Sequence, residues 1–358
     1  MAIVEGSGRR AAVVGTGLIG GSIGLALRQR GWHVTGSDVD PDRADLAHQL
    51  GALDAVGVDP QAEVTFVATP VGVVPAVVSG VLASSGGVVT DVGSVKASVV
   101  DAVQDPRFVG GHPMAGSEQE GVEGADPDLF AGATWVLTPT ATTDPAAYAF
   151  VRSVVSSLGA EVVALPPERH DVLVAMVSHV PHLTAATLMR LADERAEEHR
   201  ALLRLAAGGF RDMTRVAAGH PGIWPDICGE NRVAIVEVLD RLIDSLGEMR
   251  EVVAGNDKDG LLGVLERARA ARINLPTRFQ RPGDLVEVRV PVPDRPGVLA
   301  DVTTLATDLD VNIIDLEIAH STEGQRGVLI LVVEAARAER LHGGLVTRGY
   351  RPAVRSLE

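Results

Sequence analysis

The stretch that decides the fold is G15-T-G-L-I-G-G-S-I-G24. Gly15, Gly17 and Gly20 give G-x-G-x-x-G, with Leu18 and Ile19 between the second and third glycines. In that pattern the first glycine makes a tight turn and the second lets backbone approach a pyrophosphate. The third lets a helix pack closely on a strand. The residues before it, Ala11–Val14, read as a strand, and those after it as a helix whose free N–H groups favour phosphate. A second strand, His33–Ser37, ends at Asp38, about twenty residues past the glycines as the dinucleotide fingerprint requires. A carboxylate there accepts hydrogen bonds from a ribose diol and repels a 2′-phosphate, so NAD is the expected cofactor. Asp40 is the alternative acid, and Asp38 could instead cap the helix that follows.

Working outward, further strands are expected at Val64–Ala68, Gly87–Thr90, Phe108–Gly110 and Thr134–Thr138, separated by helical patterns. Continuous apolar strands alternating with helices predict a parallel sheet covered on both faces. This Rossmann-like α/β domain is expected over 8–165. From 166 to 274 helical periodicity takes over. Ile235, Leu239, Leu242, Leu246, Met249 and Val253 form a heptad-like seam, which fits packing within its own chain or against a second copy. The stretch 275–284, rich in proline and glycine, reads as a linker. Over 285–358 a βαββα order with a last strand near Tyr350–Arg355 predicts a small α+β domain.

Length and charge bound the function. With 358 residues and 46% hydrophobic content, two or three folded domains are expected at roughly 150 residues each. Asp+Glu outnumber Lys+Arg by 47 to 32, and the net charge of -15 argues against nucleic acid or an anionic membrane surface as partner. A single cysteine, Cys228, suits a reducing compartment. Residues 1–10 lack the pattern of a signal peptide, and no uninterrupted apolar run reaches membrane-span length. A cytoplasmic location with no membrane partner is expected.

The chemistry concentrates in loops at strand ends. ATPVGVV, from Ala68, places Thr69 and Pro70 against the cofactor. DVGSVK, Asp91–Lys96, and GGHPMAGSE, Gly110–Glu118, follow the next two strands. His112, read as a loop histidine between two glycines and a proline, can take a proton as hydride leaves the adjacent carbon. Ser94 either orients it or binds the substrate hydroxyl. In the helical segment SHVPH brings Ser178, His179 and His182 together, and FRDMTR contributes Arg211, Asp212 and Arg215 ahead of Trp224. No metal is expected, because H-x-x-H here lacks a third ligand.

Together GTGLIGGSIG, Asp38, ATPV, DVGSVK, GGHPMAGSE, SHVPH and GGFRDMTR…Trp224 resemble the prephenate/arogenate dehydrogenase family, and VPDRPGVLADV with DVNIIDLE resembles an ACT domain. The resemblance implies NAD-dependent oxidative decarboxylation of prephenate to 4-hydroxyphenylpyruvate in tyrosine biosynthesis, or of arogenate to tyrosine. It also implies a homodimer formed through the helical domain. His112 would be the base with Ser94 assisting, and Arg215 would hold a substrate carboxylate. His182, Ser178, Glu118, Asp212 and Trp224 would shape the pocket, Trp224 from its own chain or a partner's. The ACT-like segment implies feedback by L-tyrosine through Asp294, Gly297 and Asn312, or assembly alone. Two other readings compete. β-Hydroxyacid dehydrogenases use a lysine on the helical domain, and here only Lys258 stands there. A non-catalytic amino-acid sensor is the second alternative.

Overall fold

In the computed structural model, the described residues are 8–116, 119, 121–196, 205–274, 285–293, 295–320 and 326–356. Glu118, Asp294 and the 275–284 stretch lie outside them. By its internal contacts the chain forms two compact units, Met1–Gly247 and Glu248–Glu358.

The first unit begins with β1 (Arg10–Val14), α1 (Leu18–Gln29), β2 (His33–Ser37), α2 (Pro41–Gln49) and the two-residue β3 (Ala55–Val56). It continues through β4 (Val64–Val67), α3 (Val74–Ser84), β5 (Val88–Asp91), α4 (Ala97–Ala102), β6 (Phe108–Pro113), β7 (Thr134–Thr138), α5 (Pro145–Ser157) and β8 (Glu161–Ala164). The strands form one sheet in the order β3-β2-β1-β4-β5-β6-β7-β8. The order reverses beside β1, and that switch point is where an open α/β sheet takes its ligand.

Two features depart from the sequence expectation. The sheet is mixed, because β7 runs antiparallel to β6, with Gly111 opposite Leu137 and His112 opposite Val136. A strand's apolar pattern reports its burial and not its direction, so the reversal left no mark. β6 also continues through Pro113, so His112 stands on a buried strand instead of in the loop after it. Val13, Val34, Phe66 and Val109 are fully buried at the centre, and Trp135 packs 5.0 Å from Phe130.

The helical segment comprises α6 (Pro167–Val174), a π-helical turn (Ala175–His179), α7 (Val180–Ala196), α8 (Gly208–Thr214), α9 (Trp224–Glu230) and α10 (Arg232–Ala254). The run Pro167–Glu194 is long and apolar enough, by length and composition, to cross a membrane. Its buried polar residues His170, Asp171 and His179 are hydrogen-bonded to the sheet unit and to α9–α10, so here it is a site-lining helix. Ile227 of α9 packs with Val71 and Val74 at the start of α3, which draws Trp224 to the ends of the strands.

The second unit holds α11 (Lys258–Ile273), β9 (Leu285–Pro293), α12 (Val298–Asp308), β10 (Ile313–His320), β11 (Arg326–Glu334), α13 (Ala335–Thr347) and β12 (Ala353–Ser356). The last six form βαββαβ, with an antiparallel sheet ordered β10-β11-β9-β12. Val288, Val290, Val302, Leu329, Leu331 and Leu341 make its core.

Candidate active site

The glycine loop has the shape a dinucleotide needs. Gly15 adopts φ +92°, and a Cβ there would stand 2.4 Å from the Ala68 carbonyl oxygen. A Cβ on Gly20 would fall 1.9 Å from the Gly15 oxygen, so helix and turn meet with no room for a side chain. At Gly17, by contrast, a Cβ would meet nothing within 4 Å. Gly17 caps α1 without any side-chain partner, which leaves open space in front of the first N–H groups. A pyrophosphate fits that space, with the helix dipole favouring its charge. Leu18 opens α1, while Ile19 packs back on the core.

Asp38 stands at the loop as expected. Its Oδ2 accepts from the Thr16 N–H at 2.8 Å and the Thr16 hydroxyl at 3.2 Å, and Oδ1 accepts from the Asp40 N–H at 3.0 Å. Lone pairs remain on both oxygens for a ribose diol. Asp40, the alternative, is the residue that caps α2, accepting from the Asp42 N–H at 3.1 Å. Thr69 follows β4, and its hydroxyl is buried with no partner among the described residues, which suits a ligand group there. Pro70 begins the turn over Val71–Val73. Arg43, marked by no motif, joins Thr16, Gly17 and Leu18 along a cleft of about 760 Å³ that extends to His182, His220 and Trp224.

Beneath the cleft lies a buried polar network. His112 is 9% exposed, and its Nδ1 sits 2.9 Å from His170 Nε2. His170 Nδ1 donates to Asp171 Oδ1 at 2.7 Å. The Asp171 carboxylate also accepts the backbone N–H groups of Lys96 and Ala97, each at 2.8 Å. Lys96 is completely buried and its ammonium pairs with Asp91, which also accepts the Gly111 N–H at 3.1 Å next to His112. Asn231 Nδ2 donates to the Asp171 carbonyl at 2.9 Å and to His179 Nδ1 at 3.2 Å. The carbonyl fixes which end of the amide faces His179, so the neutral ring carries its proton on Nε2. That Nε2–H is buried without a partner among the described residues, a donor available to a ligand.

Burial, then the neighbouring His170, Lys96 and His179, hold His112 well below the ordinary histidine range. Burial brings His179 down to about 4 and also lowers His182. Neutral imidazoles are therefore the working forms near pH 7, as a proton acceptor requires.

The remaining expected residues lie on several elements. Ser94 is half-buried in the β5–α4 turn, and the partner at His112 Nδ1 is His170 and not Ser94. Ser178 lies half-buried in the π-helical turn. His182 stacks on Trp224 of its own chain with ring centroids 3.7 Å apart and planes 13° off parallel. Asp212 is exposed on α8. That helix ends at Thr214, and Arg215 opens a 3-10 turn. Arg215 is exposed, immediately before Val216 of the cleft. In the second unit Gly297 has φ +92° and caps α12, and Asn312 is exposed before β10.

Comparison with known proteins identifies the domains that carry these residues. Residues 23–164 match the family described as prephenate dehydrogenase, nucleotide-binding domain; residues 166–267 match prephenate dehydrogenase, dimerization domain; residues 286–343 match the ACT domain. A prephenate dehydrogenase of Bacillus subtilis is 34% identical over 335 residues, covering 88% of this chain and 90% of the relative. The crystal structure of Aquifex aeolicus prephenate dehydrogenase with hydroxyphenyl propionate and NAD+ has a TM-score of 0.71 at 29% identity, covering 75% of this chain and 99% of that one. Synechocystis arogenate dehydrogenase has a TM-score of 0.64 at 30% identity, covering 74% and 98%. With a Rossmann-like unit whose glycine loop fits NAD, a helical segment bearing the buried histidines, and an ACT domain, the chain belongs to the prephenate dehydrogenase family.

Proposed function

We propose that this chain oxidatively decarboxylates prephenate to 4-hydroxyphenylpyruvate, with His112 as the proton acceptor. The observation that carries the proposal is His112 itself, a neutral imidazole on β6 whose Nδ1 is engaged by His170; its Nε2 would face the substrate. Gly15, Gly17, Leu18, Ile19, Gly20, Asp38, Thr69 and Pro70 would hold NAD+, which when bound supplies the acceptor for the hydride from the carbinol carbon. His112 Nε2 takes the hydroxyl proton as the C–H electron pair departs and the ring ketone forms. The ketone accepts the electrons of the breaking carbon–carboxylate bond, carbon dioxide leaves, and the ring becomes aromatic. His112 then returns its proton to the phenolate oxygen.

Ser94 would bind the reacting hydroxyl and Arg215 a substrate carboxylate through charge-assisted bonds. Ser178, His182, Glu118, Asp212 and Trp224 would line the substrate end, and the orphan Nε2–H of His179 supplies a further donor. The functional division would follow 8–165, 166–274 and 285–358 with 275–284 as linker. A second copy would cover the helical segment, and the ACT unit would bind L-tyrosine through Asp294, Gly297 and Asn312. The lone cysteine suits a cytoplasmic enzyme.

A second reading, oxidation of arogenate, is favoured by the likeness to the Synechocystis enzyme. The two substrates differ only in a keto or an amino group on the side chain. NADH formation measured in parallel with prephenate, arogenate and a β-hydroxyacid separates them. Turnover of prephenate is expected; turnover of arogenate alone transfers the assignment, and silence with all three ends it.

A further inference from the structure

His170 and Asp171 belong to no motif of the sequence, yet they end on the reacting imidazole. We infer that they are positioning residues that fix the tautomer of His112, so that its Nε2 lone pair faces the substrate hydroxyl; this rests on His112 being the proton acceptor.

The assignment follows from what each atom can do. The Asp171 carboxylate only accepts, so the 2.7 Å contact at His170 Nδ1 requires a proton on that nitrogen. A His170 ring that carries that one proton has a bare lone pair on Nε2. The 2.9 Å contact to His112 Nδ1 requires one proton between the two nitrogens, and it must be His112's own. Neutral His112 has spent its only N–H inward, and Nε2 is left as an acceptor.

The far end of the chain is anchored. Asp171 accepts three donors, two of them backbone N–H groups of Lys96 and Ala97 at the start of α4, and its carbonyl is held by Asn231. α6 is thereby tied to the turn that carries Ser94, and the imidazole inherits its orientation from two elements. The charged and titratable groups facing it are Lys96 with its partner Asp91, His179 and Asp171. Burial, then His170, Lys96 and His179, oppose an imidazolium at His112, which keeps its Nε2 bare until the substrate hydroxyl gives up its proton.

Full-length His170→Asn, His170→Gln and His112→Asn test this with prephenate and NAD+ across pH. Asparagine retains a group near the Nδ1 position, which reaches Asp171, and removes the acceptor at Nε2; glutamine places a carboxamide oxygen near Nε2. Expected for His170→Asn is a kcat loss of about 10²-fold, at the low end of what a positioned base contributes. Its acid limb moves to higher pH, because a neighbour that opposes the imidazolium is gone, while the KM for NAD+ stays unchanged. His170→Gln recovers most of that kcat. Both variants at full activity, or both equally impaired with an unmoved acid limb, would overturn the inference and leave His170 a packing residue. Full activity of His112→Asn would instead remove the proton acceptor itself, a separate failure.

Discussion

At the scale of single residues, one glycine pattern contains two different constraints. Gly20→Ala drives a methyl into the Gly15 carbonyl and should lower thermal stability, read as Tm. Gly17→Ala meets no protein atom, so Tm should hold while the KM for NAD+ rises, because the methyl intrudes on the space offered to the pyrophosphate. Equal effects of the two would refute this division of labour. His112→Asn should reduce kcat by roughly 10²–10⁴-fold with NAD+ binding intact, as calorimetric titration would check. The depressed His112 also sets a pH dependence. Its neutral form works and its protonated form does not, so activity should persist below the ordinary histidine pKa before the acid limb appears. Stability carries the same sign. His179 is held near 4 when folded and returns to about 6.5 when unfolded, so the unfolded chain binds the extra proton. Its contribution is complete above the unfolded value and is lost as pH falls through that window. A melting temperature flat from neutrality down to the folded value would contradict it.

At the scale of elements, α10 answers the question its seam posed. Ile235 and Val238 are buried and Leu239 and Leu242 partly so, packed with Ala175 and Val180, whereas Ile243 is 62%, Leu246 57% and Val253 60% exposed. The seam thus packs within its own chain at one end and stays apolar and open at the other. A groove of about 460 Å³ lined by Met176, Val180, Met213 and Leu242 continues that open face. Apolar surface of this kind marks an association site, and it lies in the segment that matches a dimerization domain, so a second copy is the cover to test. Ile243→Glu with Leu246→Glu should convert a dimer to monomer in sedimentation analysis with helicity unchanged; a dimer that persists would place the interface elsewhere. The reversal of β7 against β6 belongs to this scale too. It pairs His112 with Val136 of β7, a more rigid mount than the loop its glycines suggested.

At the scale of the molecule, a net charge of -15 must admit an anionic substrate. The cleft answers with local groups, Arg43 in its wall and Arg215 beside it. Arg215→Ala should therefore raise the KM for prephenate more than it lowers kcat; an unchanged KM would remove Arg215 from the site. Much of the molecule was legible in advance. The glycine turn, Asp38, Thr69 and the βαββαβ order depend on neighbours within one strand–turn–helix unit, where spacing determines geometry. His170 was not legible, because 58 residues separate it from His112, and nothing local distinguishes a buried histidine in a relay from one on a surface helix. Lys96 closes the DVGSVK loop that the sequence marked, and only the sheet buries it against Asp91. Sequence alone determined which units form and where a dinucleotide is received, since those follow from backbone conformation and apolar periodicity. Only the tertiary structure decided which imidazole faces which partner and how each is protonated, because those are properties of burial and of hydrogen bonds between distant segments.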